Sequence, residues 1–237
     1  MNADRKQTKL VIFGLSNILS DLFDCALANG LALHKVVIHH AERPGARDVP
    51  LAVRLAALAR IAEPPVVQAF DAFRPEEGEC YLLGPTTPER AALAREIDER
   101  HGLRYCTLVH PTAYVSPLAQ LGQGVFVGAR SVIASGACLA EHVFINRGVT
   151  IGHDTRIGAF SRIQAGANLG GLSTLGRGVT IGLGATLVER LVVGDGVTLG
   201  AGSVLLQDLP AGVVAAGVPA RVKSARDGKP RRNSTTA

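Results

Sequence analysis

From Val109 onward an aliphatic residue returns every six positions without interruption. The series runs from Val109 through Ile151 and Ile181 to Leu205, and all seventeen of its members are Leu, Val or Ile. The fourth residue after each is Ala, Ser, Thr, Val or Leu, and the residue directly after is mostly Gly. A period of six fits neither the 3.6 of an amphipathic helix nor the alternation of an ordinary hairpin. It fits a β-helix, in which short strands alternate with tight turns and each aliphatic side chain stacks on its equivalent one coil away. Three hexads make one triangular coil. Seventeen hexads therefore predict a prism roughly 27 Å tall at the ~4.8 Å spacing of neighbouring strands. Such a prism has two open ends that need cover. An α/β unit is expected over the first, and the segment Asp208 to Val222, with Pro210 and Pro219, over the last.

Composition agrees with this. Hydrophobic residues make up 47% of the 237 and aromatics only 4%, with no Trp and 27 Gly. The core must be built from Ala, Val, Leu and Ile. The net charge of +5 arises partly in the stretch Lys223 to Arg232. No stripe of Lys and Arg interleaved with aromatics occurs elsewhere, so no nucleic-acid partner is expected. No apolar run reaches the ~18 residues of a membrane span, and the polar stretch Met1 to Lys9 does not read as a leader. Cys25, Cys80, Cys106 and Cys138 lack CxxC spacing, which points to reduced thiols and a cytoplasmic location.

The first hundred residues have a different grammar. Leu10 to Phe13 reads as a strand ending at Gly14. A helical pattern through Leu19, Leu22, Phe23 and Leu27 follows and closes at Asn29-Gly30. Val36 to Ile38 reads as a second strand, Leu51 to Ile61 as a helix, and Cys80 to Leu83 as a strand ending at Gly84. Thr87 and Pro88 then look like the N-cap and first residue of a helix that Gly102 stops after His101. Alternating strands and helices predict a small parallel α/β sheet. The expected division is an α/β domain at 1–106, a β-helix at 107–208, and a cap with a basic tail at 209–237.

The hexads, the ending Gly217-Val218-Pro219-Ala220-Arg221, the junction His110-Pro111-Thr112-Ala113, and Asn146 with Gly152-His153-Asp154 resemble the hexapeptide-repeat sugar acetyltransferases of the sialic-acid and bacillosamine type. The resemblance implies an N-terminal Rossmann-like domain followed by a left-handed parallel β-helix. It also implies a homotrimer, acetyl-CoA as co-substrate in the groove between neighbouring β-helices, and a sugar or nucleotide-sugar acceptor held by the N-terminal domain. The expected activity is acetyl transfer to a nucleotide-linked amino sugar in surface-glycan biosynthesis. Two alternatives stand beside it: O-acetylation or acylation of a non-nucleotide acceptor, favoured by the Gly-poor Gly14 loop, and a non-catalytic trimeric scaffold.

Direct transfer from a thioester needs a base, an oxyanion donor and a held CoA. His153, on an outward hexad position, is the candidate base, and Asp154 is the carboxylate that would orient it. For the cofactor, the resemblance points to Arg162, Gly171, Leu183 and Ala201. For the acceptor, it points to the first βα turn with Gly14, Ser16 and Asn17, to His39 at the end of the second strand, and to Gly84 at the third-strand turn. His142 is expected to be an exposed turn residue and His110 to be structural. His142 and His153 do not make a three-histidine metal set, so no metal is expected.

Overall fold

The computed structural model describes residues 8–42 and 45–225. The polar N-terminus and most of the basic tail lie outside these residues.

The α/β unit holds β1 (Lys9–Phe13), α1 (Leu19–Ala28), β2 (Ala32–Ile38), α2 (Leu51–Leu58), β3 (Val66–Ala69), β4 (Glu79–Leu83) and α3 (Arg90–His101). The sheet is parallel with strand order β3-β2-β1-β4. Alternation along β1 separates two cores. Leu10 and Ile12 face α1, with Leu22, Phe23 and Val36. Val11 and Phe13 face α3, with Phe73, Tyr81 and Ile97.

Three readings of this unit need correction. Helix α3 starts at Arg90, and no side chain caps it at Thr87. The Thr86 and Thr87 carbonyls are instead taken by the Arg90 guanidinium, at 2.5 and 2.9 Å. Helix α2 ends at Leu58, and Arg60 to Ala62 only turn. Strand β3 has no counterpart in the sequence reading: Val66 and Val67 lie exposed on the sheet edge, in a run too short to show a period.

From β5 (Leu108–Val109) to β21 (Val204–Leu205) the chain winds as a left-handed parallel β-helix of two-residue strands. Partners are eighteen residues apart, as in Phe144 with Arg162, Thr150 with Asn168 and Arg156 with Thr174. These three pairs lie on the first, second and third face of the prism, in that order. Every hexad aliphatic from Val127 to Leu205 is buried, and Ala137, Val149, Ala167 and Val179 fill the corners between them. Two further strands, β22 (Val213–Gly217) and β23 (Ala220–Ala225), form a hairpin joined to Thr198–Leu199. Val213, Ala215 and Ala220 close the last coil.

The α/β unit does not cap the first coil as expected. It packs chiefly on the flank of the prism. Phe126 and Phe144, stacked with centroids 5.1 Å apart on the first face, join the α1 side of its core, and Ala159 and Phe160 join the α3 side. Val109, Val115 and Leu121 of the first coil stay partly exposed. The physical reason is the pair of phenylalanines, two large apolar rings on the first face that the α1 side of the unit buries.

His142 also departs from expectation: it is buried, at 4% exposure. Its ring stacks on Phe160 with centroids 4.8 Å apart and meets Tyr105 edge-on at 4.5 Å. Burial, with the charges of Arg90 and Arg177 nearby, pushes its pKa from an ordinary 6.5 down to about 4. The unfolded chain thus binds a proton that the folded one refuses. Stability present above pH 6.5 is lost as the pH falls from 6.5 towards 4, by roughly 3 kcal/mol for that shift. His142→Asn suits the positive φ of 54° there and should flatten Tm against pH over this window. An unchanged slope would assign the acid sensitivity to other groups.

Candidate active site

Two separate places collect the predicted residues. The first is a cleft of about 610 Å³ at the C-terminal ends of the parallel strands. It opens where the strand order reverses between β1 and β4, the usual ligand position of such sheets. Two glycines make the reversal possible. Gly14 has φ +81°, and a Cβ on it would sit 2.9 Å from Pro85. A Cβ on Gly84 would sit 2.2 Å from the Gly14 carbonyl oxygen. Ser16 Oγ donates to the Gly84 carbonyl at 2.7 Å, fastening the first turn to the third. Asn17 Nδ2 donates to Asp48 Oδ1 at 2.8 Å. The Gly45 N–H and the Asn17 amide hold Asp48 below the usual carboxylate range.

Gly14, Ser16, Asn17 and His39 all line this cleft, and Gly84 underlies it beside Pro85. Two partners went unread in the sequence. Glu96 on α3 meets His39 Nε2 at 3.0 Å, and Arg54 reaches Ser20 Oγ at 2.8 Å. Neither has a local signal, because each depends on how helices pack over the strand ends.

The second place is the corner of the prism between its second and third faces. His153 and Asp154 stand there, half-exposed, with His153 Nδ1 2.9 Å from Asp154 Oδ2. Asp154 adopts the left-handed conformation, φ 56°, which Asp tolerates better than most residues. A carboxylate can only accept, so Nδ1 is the donor of this bond, and in the neutral imidazole the lone pair is then on Nε2. Gly171 lies one coil beyond, against the His153 ring.

The other cofactor candidates lie elsewhere on the same chain. Leu183 and Ala201, one coil apart, occupy the corner between the first and second faces, and Leu183 is 57% exposed. Arg162 lies on the first face itself, half-buried, with its Nε 3.3 Å from Thr180 Oγ1. Burial depresses its pKa. The side chain is on the flank that carries the α/β unit, not beside His153. Asn146, on the same corner as Leu183, donates to Gln164 Oε1 at 3.2 Å. His110 is tied to Thr112 and lies 3.6 Å from Asp24.

A parallel α/β unit on the flank of a left-handed β-helix is the architecture of the hexapeptide-repeat sugar acetyltransferases, and this chain has it throughout its described length. The acetyltransferase domain of PglB from Neisseria gonorrhoeae FA1090, solved in complex with acetyl coenzyme A, is 28% identical, with a TM-score of 0.76 over 91% of this chain and 99% of that one. PerB from Caulobacter crescentus, solved with CoA and GDP-perosamine, is 27% identical, with a TM-score of 0.76 over 91% and 97%. WeeI from Acinetobacter baumannii AYE shares the fold at 18% identity and a TM-score of 0.69 over 91% and 100%. No family model matches the chain, and no curated protein does. Among the described residues no helix is long and apolar enough to cross a membrane.

Proposed function

We propose that this protein is an acetyl-CoA-dependent N-acetyltransferase of an amino sugar linked to a nucleotide, acting in the cytoplasm in surface-glycan biosynthesis. The observation that carries the reading is the His153–Asp154 pair, a base with its orienting carboxylate on an open corner of an acetyltransferase fold. The nucleotide would lie in the cleft at Gly14, Ser16, Asn17 and His39, with its phosphates towards the N-terminus of α1.

Transfer is direct. The acceptor amine attacks the thioester carbonyl carbon while His153 Nε2 takes a proton from the nitrogen. The C–S bond then breaks, the CoA sulfur takes up a proton, and N-acetyl sugar and free CoA leave. Asp154 keeps the ring in the tautomer that can act as base, and stabilises the imidazolium that forms.

The cleft opens on the flank of the prism, behind the first face, whereas His153 occupies the corner opposite that face. An acceptor in one copy's cleft would therefore be acetylated at another copy's corner. Leu183 and Ala201 stand at the far edge of the second face from His153 and Gly171. A head-to-tail ring of three copies would set one edge against the other and complete the CoA groove. This arrangement supports a homotrimer. Arg162, on the first face, would approach the His153 corner of a neighbouring copy rather than that of its own chain.

The discriminating experiment is a thermal-shift screen with acetyl-CoA and with UDP-, GDP- and dTDP-linked amino sugars, followed by assay of released thiol. Ligands that bind the folded state raise Tm by mass action. Stabilisation by acetyl-CoA and by one nucleotide sugar, with thiol release when both are present, is the expected result. Stabilisation by acetyl-CoA alone would transfer the reading to a non-nucleotide acceptor. No response to acetyl-CoA would leave a β-helical scaffold. In the active protein, Asp154→Asn should lower kcat less than loss of the histidine does and displace the pH-rate profile; an unmoved profile would remove Asp154 from tuning the base.

A further inference from the structure

The His153–Asp154 pair spans three coils of the prism. The Asp154 carboxylate lies over Gly136, eighteen residues earlier, and the His153 ring lies over Gly171, eighteen residues later. A Cβ on Gly136 would fall 2.2 Å from Asp154 Oδ1. A Cβ on Gly171 would fall 2.8 Å from His153 Nε2 and 2.9 Å from Cδ2.

Backbone conformation does not demand glycine at either position. Gly136 has φ +71°, but its equivalents in the next three coils, Asp154, Leu172 and Arg190, hold φ values of 56°, 60° and 64° with full side chains. Gly171 is not in the left-handed region, and its equivalents on either side are Ser135, His153 and Glu189. The corner therefore accepts side chains at these two columns, Ser135 and Leu172 included, and lacks them only at Gly136 under Asp154 and at Gly171 under His153.

We infer that Gly136 and Gly171 are positioning residues for the candidate base: their missing side chains form the two shelves on which Asp154 and His153 lie flat, edge to edge, at hydrogen-bond distance. The inference rests on the proposed transfer reaction for its activity readout, but not for its spectroscopic one. In both cases the atoms that a new Cβ would strike first belong to the ends of the Asp154 and His153 side chains. Those ends can swing away while the coil stays wound. An added methyl at Gly136, where the nearest backbone atom is 3.5 Å away, should thus separate the pair without unfolding the prism, whereas at Gly171 the His153 carbonyl oxygen at 3.0 Å must also give by a few tenths of an ångström.

The test is a double-mutant cycle on the full-length protein, made of Gly136→Ala, Asp154→Gly and the combination. Displacing a reacting group by an ångström or so can cost up to about 10²-fold. Gly136→Ala should lower kcat by about tenfold or more, with KM for acetyl-CoA little changed. In the Asp154→Gly background the same substitution should change kcat by less than about twofold, because nothing remains on the shelf to displace. The second readout needs no substrate: nitrogen-15 spectra of the imidazole should show His153 protonated at Nδ1 in the native protein and a mixture of tautomers in Gly136→Ala and in Gly171→Ala. Equal losses of kcat in both backgrounds, or native tautomers in both glycine variants, would overturn the inference. If no acceptor is acetylated by the native protein, the transfer reading falls, and the imidazole spectra alone decide the positioning of the pair.

Discussion

Replacing His153 with alanine is expected to lower kcat by about 10²–10⁴-fold, the usual span for loss of a general base. Binding of acetyl-CoA should be nearly unaffected. The ring stands half-exposed at a corner and contributes nothing to the aliphatic stack inside the prism. Its removal should therefore leave Tm close to native. That separation makes the experiment decisive: calorimetric titration with CoA and a melting curve report an intact fold, and steady-state kinetics report the chemistry. The loss should appear in kcat rather than in KM, since the proton is taken only as the carbon–nitrogen bond forms. Turnover within a few-fold of native would take His153 out of the mechanism.

Arg90→Ala should strongly destabilise the α/β unit. The guanidinium is buried at 4% exposure and lies at the joint between α3 and the prism. It donates to the carbonyls of Thr86 and Thr87 on one side and to those of His142 and Ser161 on the other. It also lies 5.8 Å from the Phe160 ring centre. Burial and the nearby charge of Arg162 weigh against a cation there, and the charge of Glu89 and the four carbonyls favour it. Truncation removes the guanidinium donor from the Thr86 and His142 carbonyls, each costing about 1–3 kcal/mol, while the Thr87 and Ser161 carbonyls keep the Arg90 and Phe144 backbone N–H. A total of about 3–5 kcal/mol is expected, as for a broken buried network. Denaturant unfolding followed by tyrosine fluorescence and by far-ultraviolet circular dichroism should reveal it. Loss of less than about 1 kcal/mol would mean that water or a neighbouring side chain replaces the guanidinium.

The two halves of the chain were legible to different depths for a physical reason. In the prism each hexad repeats one local decision, an aliphatic residue inward and a small residue at the corner. Ile151 or Leu175 can therefore be placed from its neighbours in sequence alone. The same rule put His153 on an outward position and Asp154 beside it. It did not bury His142, because that burial comes from Tyr105 and Phe160, and Tyr105 belongs to the linker rather than the repeat. The α/β unit showed its strong strands, Leu10 to Phe13 and Cys80 to Leu83, and the Gly102 stop, where φ is +58°. It hid β3, which is short and exposed. It also hid the pairing of His39 with Glu96, fifty-seven residues apart, which only the packing of α3 brings about. The same register places Arg162. Nine residues after His153 is half a coil, which carries the side chain to the opposite side of the prism.

The eighteen-residue register also governs how such a chain can change length. Removing one residue from any coil would turn every later inward aliphatic towards solvent, and removing two would press it into the narrow corner slot that Ala137 and Ala167 fill. Removing six would keep the inward pattern but rotate the rest of the prism by a third of a turn, carrying Leu183 and Ala201 away from their edge. Only a whole coil can be lost or gained with every face preserved. The corner bearing His153 and the edge bearing Leu183 are thus locked in phase, and the reach between them can be altered only in steps of about 4.8 Å. Evolution of a longer or shorter CoA groove in this architecture is accordingly quantised, and alignments between its members should show gaps in the β-helix that are multiples of eighteen or loops expelled entirely at a corner.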